Sequence, residues 1–327
     1  MRPATRRPIP TRGRNRRPGG PRDAEIRIAP LAVADQLAAA GVRPRKSRGQ
    51  NFLIQPAVAD QIVAAAELRP NDEVVEIGPG LGILSDRIAR AGVRRLWLVE
   101  LDAGLARRLE SAFAGHPAVR VVCRDFLDVD LAALAERPPV KVIGNLPFSA
   151  AAAILRRLDA AHALIGRMVL MFQREVAERI RARPGERTWS ALSAFTALYW
   201  ETALHFRVAA GNFRPKPKVD AEVIVFSPSS RMPFAPEHER AVLSTIRAAF
   251  SAPRKTLRNA LATLRAPQAT VAAALAEAGI DPSARPATLG VTDFVRLARE
   301  LAARGALPSA GTPNEPAFRS VEGPHDA

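Results

Sequence analysis

Val74-Val75-Glu76-Ile77-Gly78-Pro79-Gly80-Leu81-Gly82 passes from a short apolar run into three glycines at alternate positions. The run is rich in β-branched residues, the pattern of a buried strand. A helical repeat through Leu84 and Ile88 follows the glycines at once. Strand, glycine turn and helix in that order make half of a βαβ unit, and the missing Cβ atoms let backbone approach a ligand closely. The turn alone does not name the ligand, because dinucleotide enzymes, phosphate binders and S-adenosylmethionine enzymes all use one. Its Gly78-X-Gly80-X-Gly82 spacing departs from the dinucleotide pattern G-x-G-x-x-G and makes a dehydrogenase the least favoured reading.

The pattern repeats outward from this unit. Strands are predicted at Leu96–Val99, Val119–Val122, Val140–Ile143 and Met168–Phe172, with helices at Leu31–Ala40, at Pro56–Glu67 (Pro56 in its first turn) and around Leu105 and Leu109. Ser47–Leu53 reads as a polar loop. Alternating strands and helices imply an α/β fold, a Rossmann-like parallel sheet covered on both faces. Beyond residue 236 only helical pattern remains, which predicts a smaller all-helical domain over residues 237–305 after a main domain over 31–236. Residues 1–25 are Arg, Pro, Gly and Thr with almost no large apolar side chains, and they predict a disordered basic arm; residues 306–327 predict a flexible tail.

Composition narrows the function classes. A chain of 327 residues with 47% hydrophobic content can bury a sizeable core. No apolar run is long enough to span a membrane, and the start lacks the apolar core of a signal peptide. A single cysteine, Cys123, excludes an intramolecular disulfide and suits a reducing, cytoplasmic setting. The five histidines show no metal-ligand spacing. A net charge of +16, from 48 Lys+Arg against 32 Asp+Glu, points to a polyanionic partner such as nucleic acid. The plain alternative is an arginine-rich proteome with a basic tail. Nothing demands self-association, so a monomer is expected.

Three predicted strands end on polar residues, at the edge where open α/β sheets bind ligands. Glu100, about 20 residues past the glycine turn, could accept both ribose hydroxyls of a nucleoside. Asp125 could accept from an adenine amino group. Either acid by itself could equally be a helix N-cap. Asn145-Leu146-Pro147-Phe148 closes the next strand. There the Asn145 side-chain oxygen and the Leu146 carbonyl could hold an exocyclic NH2, Pro147 stiffens the turn, and Phe148 could stack on an extruded base. An ordinary turn is the competing reading of those four residues.

Together these pieces resemble the ribosomal RNA adenine N6-dimethyltransferase family. The resemblance is carried by Arg48-Gly49-Gln50-Asn51-Phe52-Leu53, Glu76 to Gly82, Val99-Glu100-Leu101-Asp102, Asp125 and Asn145-Leu146-Pro147-Phe148. It continues through Gln173-Arg174-Glu175-Val176-Ala177, Phe213-Arg214-Pro215-Lys216-Pro217-Lys218-Val219-Asp220, Arg254-Lys255-Thr256-Leu257-Arg258-Asn259 and Gly279-Ile280-Asp281-Pro282. It covers roughly residues 31–303 and lies nearer the small-subunit branch than the large-subunit, macrolide-resistance branch. It implies a class I fold, S-adenosylmethionine as methyl donor, and Asn51, Leu53, Gly78, Glu100, Asp125 and Asn145 around that donor. It further implies ribosomal RNA of the maturing small subunit as substrate, with two adjacent adenines of the terminal hairpin each methylated twice. Phe148 stands where the branch more often has Tyr, and Ser149 with Ala150–Ala153 replaces a common Asn-Ile.

By the same resemblance Phe213 would be a second aromatic wall of the base site, against a plain reading as a core residue. Lys216, Lys218, Arg254 and Lys255 could contact RNA phosphates or form a solvated basic face. Arg174, Glu175, Glu178 and Arg179 read as a charged helix surface with i,i+4 pairing. The alternatives are a DNA adenine or small-molecule methyltransferase, a large-subunit RNA methyltransferase, and an assembly factor that acts mainly by binding.

Overall fold

The computed structural model describes residues 35, 37, 38, 41, 50–230 and 234–307. The expected arm over 1–25, nearly all of the tail, and Arg48 and Gly49 lie outside them. So does most of the expected Leu31–Ala40 helix, although Asp35, Leu37 and Ala38 are helical.

In chain order the elements are β1 (Phe52–Leu53), α1 (Pro56–Ala65), β2 (Glu73–Ile77), α2 (Ile83–Arg90), β3 (Arg95–Glu100), α3 (Ala103–Ala112), β4 (Val119–Cys123), α4 (Leu131–Leu134), β5 (Val140–Asn145) and α5 (Ala151–Ala160). There follow β6 (Ile165–Gln173), α6 (Arg174–Ile180), α7 (Ala191–Tyr199), β7 (Trp200–Val208), β8 (Phe213–Arg214) and β9 (Ala221–Pro228). The last helices are α8 (Glu239–Phe250), α9 (Leu257–Ala260), α10 (Gln268–Glu277) and α11 (Val291–Ala303). Pro56 does open α1 at its first turn. Asp102 caps α3 by accepting from the amides of Gly104 and Leu105. Arg174 and Glu178 form the expected i,i+4 pair at 3.6 Å on α6.

The main sheet has seven strands in the order β4-β3-β2-β5-β6-β9-β7. The first five are parallel, and β9 and β7 run antiparallel to their neighbours. Alternation along the strands sends side chains to two different cores. Val75, Ile77, Val142 and Leu170 pack in one, and Val74, Leu96, Ile143 and Val169 in the other. That two-sided burial is why the strands read as unbroken apolar runs.

Two expectations need correction. The five-stranded reading omitted β7 and β9. The edge strand β7 is largely exposed and irregular in register between Leu204 and Phe206, so it carries no clean two-residue period. The end of the Ser47–Leu53 loop is also a strand: Phe52 and Leu53 pair antiparallel with Arg214 and Phe213. That pairing is between residues far apart in sequence, which local pattern cannot show.

The helices after residue 236 share a core with the sheet. Val242, Leu275 and Leu297 belong to the same apolar cluster as Val75 and Leu170, and α7 contacts α8, α11 and β7. Among the described residues no helix is long and apolar enough to cross a membrane.

Candidate active site

Strand register brings the polar strand ends together. Ile77 lies level with Val99 on one side and Gly144 on the other, and Glu100 lies level with Cys123. Glu76, Glu100, Asp125 and Asn145 therefore arrive at one edge of the sheet. They line a single cleft, which is closed from the side by Gln50, Asn51, Phe52 and Leu53. The pairing of β1 with β8 holds that closing segment, reinforced by the Ile54 amide donating to the Asn212 carbonyl at 2.9 Å.

The glycine turn forms the cleft floor. Gly78, Gly80 and Gly82 have φ of 64°, 57° and 85°, the left-handed region that L side chains rarely adopt. At Gly80 a Cβ would also stand 3.0 Å from Phe52 Cδ1, so the turn and the closing segment fit only without a side chain there.

Glu100 is buried and its two oxygens accept from the amides of Gly80 (3.0 Å) and Asp102 (2.9 Å). Burial raises its pKa above the ordinary carboxylate value; the Asp102 and Gly80 amides oppose the rise. Each oxygen retains a lone pair for a ligand hydroxyl. Asp125 is an N-cap at the cleft. One oxygen accepts from the Leu127 amide at 2.9 Å and starts a short 3-10 turn, and the residue lines the cleft as well.

Asn145 is oriented by the closing segment. Its amide nitrogen donates to the Asn51 carbonyl at 2.9 Å. A carbonyl accepts only from the nitrogen end of an amide, so the oxygen is the end left for a ligand. Leu146 has its side chain buried in the core, which leaves its backbone carbonyl as its polar contribution. Phe148 lines the cleft and is half-buried, with a ring still open to a partner.

The expected donor residues Asn51, Leu53, Gly78, Glu100, Asp125 and Asn145 thus share one cleft with Leu146 and Phe148. Phe213 does not join them. It is fully buried, packed with Leu53, Met171 and Val208, because β8 pairs with β1 and carries the ring into the core. In this structure Phe213 is a core residue. Lys216, Lys218, Arg254 and Lys255 lie outside the cleft and are exposed. The sequence reading gave no separate role to Glu76, Leu101 or Phe126, which also line the cleft. Leu101 and Phe126 directly follow Glu100 and Asp125, and strand register brings Glu76 to the same edge.

The residues present fit a cationic donor. Two buried carboxylates, Glu76 and Glu100, face a cleft in which Glu76 Oε2 has no hydrogen-bond partner. A donor bringing hydroxyl and ammonium hydrogens finds acceptor oxygens there, whereas a pyrophosphate brings only further acceptors. No cluster of metal-binding side chains occurs among the described residues.

Comparison with known proteins agrees. The profile of the family described as "Ribosomal RNA adenine dimethylase" matches residues 41–303. The ribosomal RNA small subunit methyltransferase A of Moorella thermoacetica is 40% identical over 271 residues, 80% of this chain and 93% of that protein. The crystal structure of the 23S rRNA methyltransferase ErmE aligns with a TM-score of 0.60 at 28% identity, over 77% of this chain and 100% of that one. A dimethyladenosine transferase from Plasmodium falciparum aligns with a TM-score of 0.67 at 23% identity, over 78% and 98%, and bears on the fold alone. In sequence, sheet order and cleft, the chain belongs to the ribosomal RNA adenine dimethylase family, with S-adenosylmethionine as its methyl donor.

Proposed function

We propose that the protein dimethylates the N6 atoms of two adjacent adenines in the 3'-terminal hairpin of small-subunit (16S) ribosomal RNA, acting as a monomer in the cytoplasm on the maturing subunit. The observation that carries this reading is the Asn145 amide, fixed by Asn51 so that its oxygen is the end available beside Phe148. Small-subunit relatives at 40% identity favour that branch over the large-subunit one.

The donor supplies a methyl group that is already electrophilic. The chain must therefore present a poor nucleophile, because the N6 lone pair of adenine is conjugated with its ring. Asn145 Oδ1 and the Leu146 carbonyl accept the two amino hydrogens and set the nitrogen's direction. Phe148 stacks on the extruded base, and its π face favours positive charge developing at N6. The proton leaves to water after transfer. Asn51, Leu53, Gly78, Glu100 and Asp125 hold the donor. Lys216, Lys218, Arg254 and Lys255 engage RNA phosphates, and the helices over 237–305 form an RNA-binding domain.

The test is methyl transfer from labelled S-adenosylmethionine to undermethylated small subunits and, separately, to naked large-subunit RNA, followed by nucleoside mass spectrometry. N6,N6-dimethyladenosine in the small subunit alone is expected. Product in large-subunit RNA alone would overturn the branch, and no product in either would leave binding as the function.

A further inference from the structure

Eight buried side-chain atoms lack a hydrogen-bond partner among the described residues, and three of them belong to residues that line one cavity: Arg181 Nε, Trp189 Nε1 and Thr196 Oγ1. Buried polar groups are normally paired, so a cluster of three calls for an explanation. Thr196 and Trp189 are 0% and 5% exposed. Similar residues elsewhere in the fold are satisfied internally. The Thr245 hydroxyl, equally buried in a helix, donates to the Ala241 carbonyl at 2.8 Å, and the Trp200 indole donates to Asp159 at 3.0 Å. Arg181 is held at its far end, where Nη2 donates to Glu222 at 2.7 Å, which leaves its Nε–H.

The cavity measures about 700 Å³, enough for a nucleoside, and lies between α6, α7, β7 and the first residue of α11. It shares no lining residue with the donor cleft. Its walls include Ile180, Ala182, Pro184, Ala197, Leu204 and Val291. The segment joining α6 to α7 is fixed in place: the Gly185 amide donates to the Ala287 carbonyl at 2.8 Å, and the Ser193 hydroxyl to the Arg179 carbonyl at 2.6 Å. Strand register gives the cavity its place on the molecule. Asn145 is level with Met171 on β6, and Phe172 is level with Glu222, the partner of Arg181. Arg181 therefore stands near the sheet edge that carries the cleft, its partner two strands along from Asn145.

The unmet atoms are hydrogen-bond donors, two N–H groups and a hydroxyl, so the occupant must bring acceptors. Two lining carboxylates are already engaged: Glu178 lies 3.6 Å from Arg174, and Glu186 accepts from the Arg183 amide at 3.0 Å. Their charge disfavours a free phosphate, and the cavity is much larger than one. A nucleobase is neutral, flat and of a fitting size. Its edge decides which base. Guanine and uracil present keto oxygens, whereas adenine and cytosine present an amino group that would meet donors with donors. We propose that this cavity is a second base site, which takes a keto base, guanine or uracil, extruded from the same RNA strand whose adenine enters the cleft. The proposal rests on the RNA methyltransferase reading only for the source of the base. The two sites then have opposite preferences: acceptors at Asn145 and Leu146 hold an amino base, and donors at Arg181, Trp189 and Thr196 hold a keto base.

The chain has three tryptophans, so three indole N–H signals report on it by NMR, and the Trp189 signal is the one that Trp189→Phe removes. The full chain, with S-adenosylhomocysteine added to fill the donor cleft, is titrated with GMP, UMP, AMP and CMP and with RNA of the small-subunit terminal hairpin. GMP or UMP is expected to move the Trp189 signal saturably, with AMP and CMP at least about fivefold weaker, and the RNA to move it at lower concentration. Thr196→Val keeps the side chain's shape and removes the hydroxyl. It is expected to weaken the keto nucleotide and the RNA about fivefold and to leave S-adenosylhomocysteine binding unchanged. The urea midpoint is expected not to fall, because the hydroxyl has no partner to lose. Wild-type protein in which no indole signal responds to GMP, UMP or the RNA overturns the proposal even if neither variant folds. Equal responses to all four nucleotides overturn the keto preference and the assignment with it. A response to GMP or UMP but not to RNA gives the cavity to a free nucleotide and overturns the RNA source. If methyl transfer to RNA fails while the Trp189 response to RNA holds, the methyltransferase reading fails and the base site stands.

Discussion

The Asn145 amide nitrogen holds the closing segment at Asn51, and under the proposed function its oxygen takes the target base. Asn145→Ala should remove both, and single-turnover methyl transfer on bound RNA is expected to fall about 100-fold from misplacement of the nucleophile. At Phe148 the ring itself matters more than a hydroxyl. Phe148→Tyr should keep the rate within a few-fold, and Phe148→Ala should lower apparent RNA-dependent activity by about tenfold or more through lost stacking, both read from kcat/KM. Glu76 makes a stability prediction in the ligand-free protein. Burial pushes its carboxyl from the ordinary carboxylate range up to about 8 in the folded protein, so folding favours the protonated form. Its stabilising contribution is complete below about pH 4.5 and is lost as pH rises through about 8. Glu76→Gln, which stays neutral, should match wild type near pH 5 in urea titrations and exceed it near pH 9 by about 4 kcal/mol.

The elements that matter most are β2 and β5 with the turns at their ends. They sit side by side in the sheet, and Gly144 leaves no room for a side chain between them. A Cβ on Gly144 would stand 3.0 Å from the Ile77 carbonyl oxygen and 3.1 Å from Leu146 Cδ2. Gly144→Ala should therefore push the Asn145 turn away from the glycine turn. A loss of about 1–3 kcal/mol in urea unfolding is expected, with weaker donor binding measured alongside. Gly92→Ala is the control for backbone strain alone, since Gly92 has a φ of 71° and open space where its Cβ would go.

At the scale of the whole molecule, a net charge of +16 gives the RNA partner a long-range attraction. Lys216 and Lys218 precede β9 in a proline-containing loop, and Arg254 and Lys255 precede α9; all four are exposed. Replacing the four with alanine should make the plot of log affinity against log salt shallower by about three to four, with S-adenosylhomocysteine binding unchanged. An unchanged slope would mark them as a solvated face. The helices after residue 236 pack into the same apolar cluster as one face of the sheet.

The sequence by itself determined the βαβ repeat, the glycine turn and the polar residue at each strand end, because these signals are local: apolar period, missing Cβ atoms and a capping or turn residue within a few positions. Phe213 shows where such signals stop. Its motif is legible, but its burial follows from pairing with Leu53, far off in the chain. The same long-range pairing turned the end of an apparent loop into β1, and the missing two-residue period hid β7. Glu76 shows the limit most clearly. In sequence it is one acid before a glycine turn. Only the tertiary structure set it beside Glu100 and left one oxygen without a partner, because desolvation and charge proximity depend on which strands become neighbours.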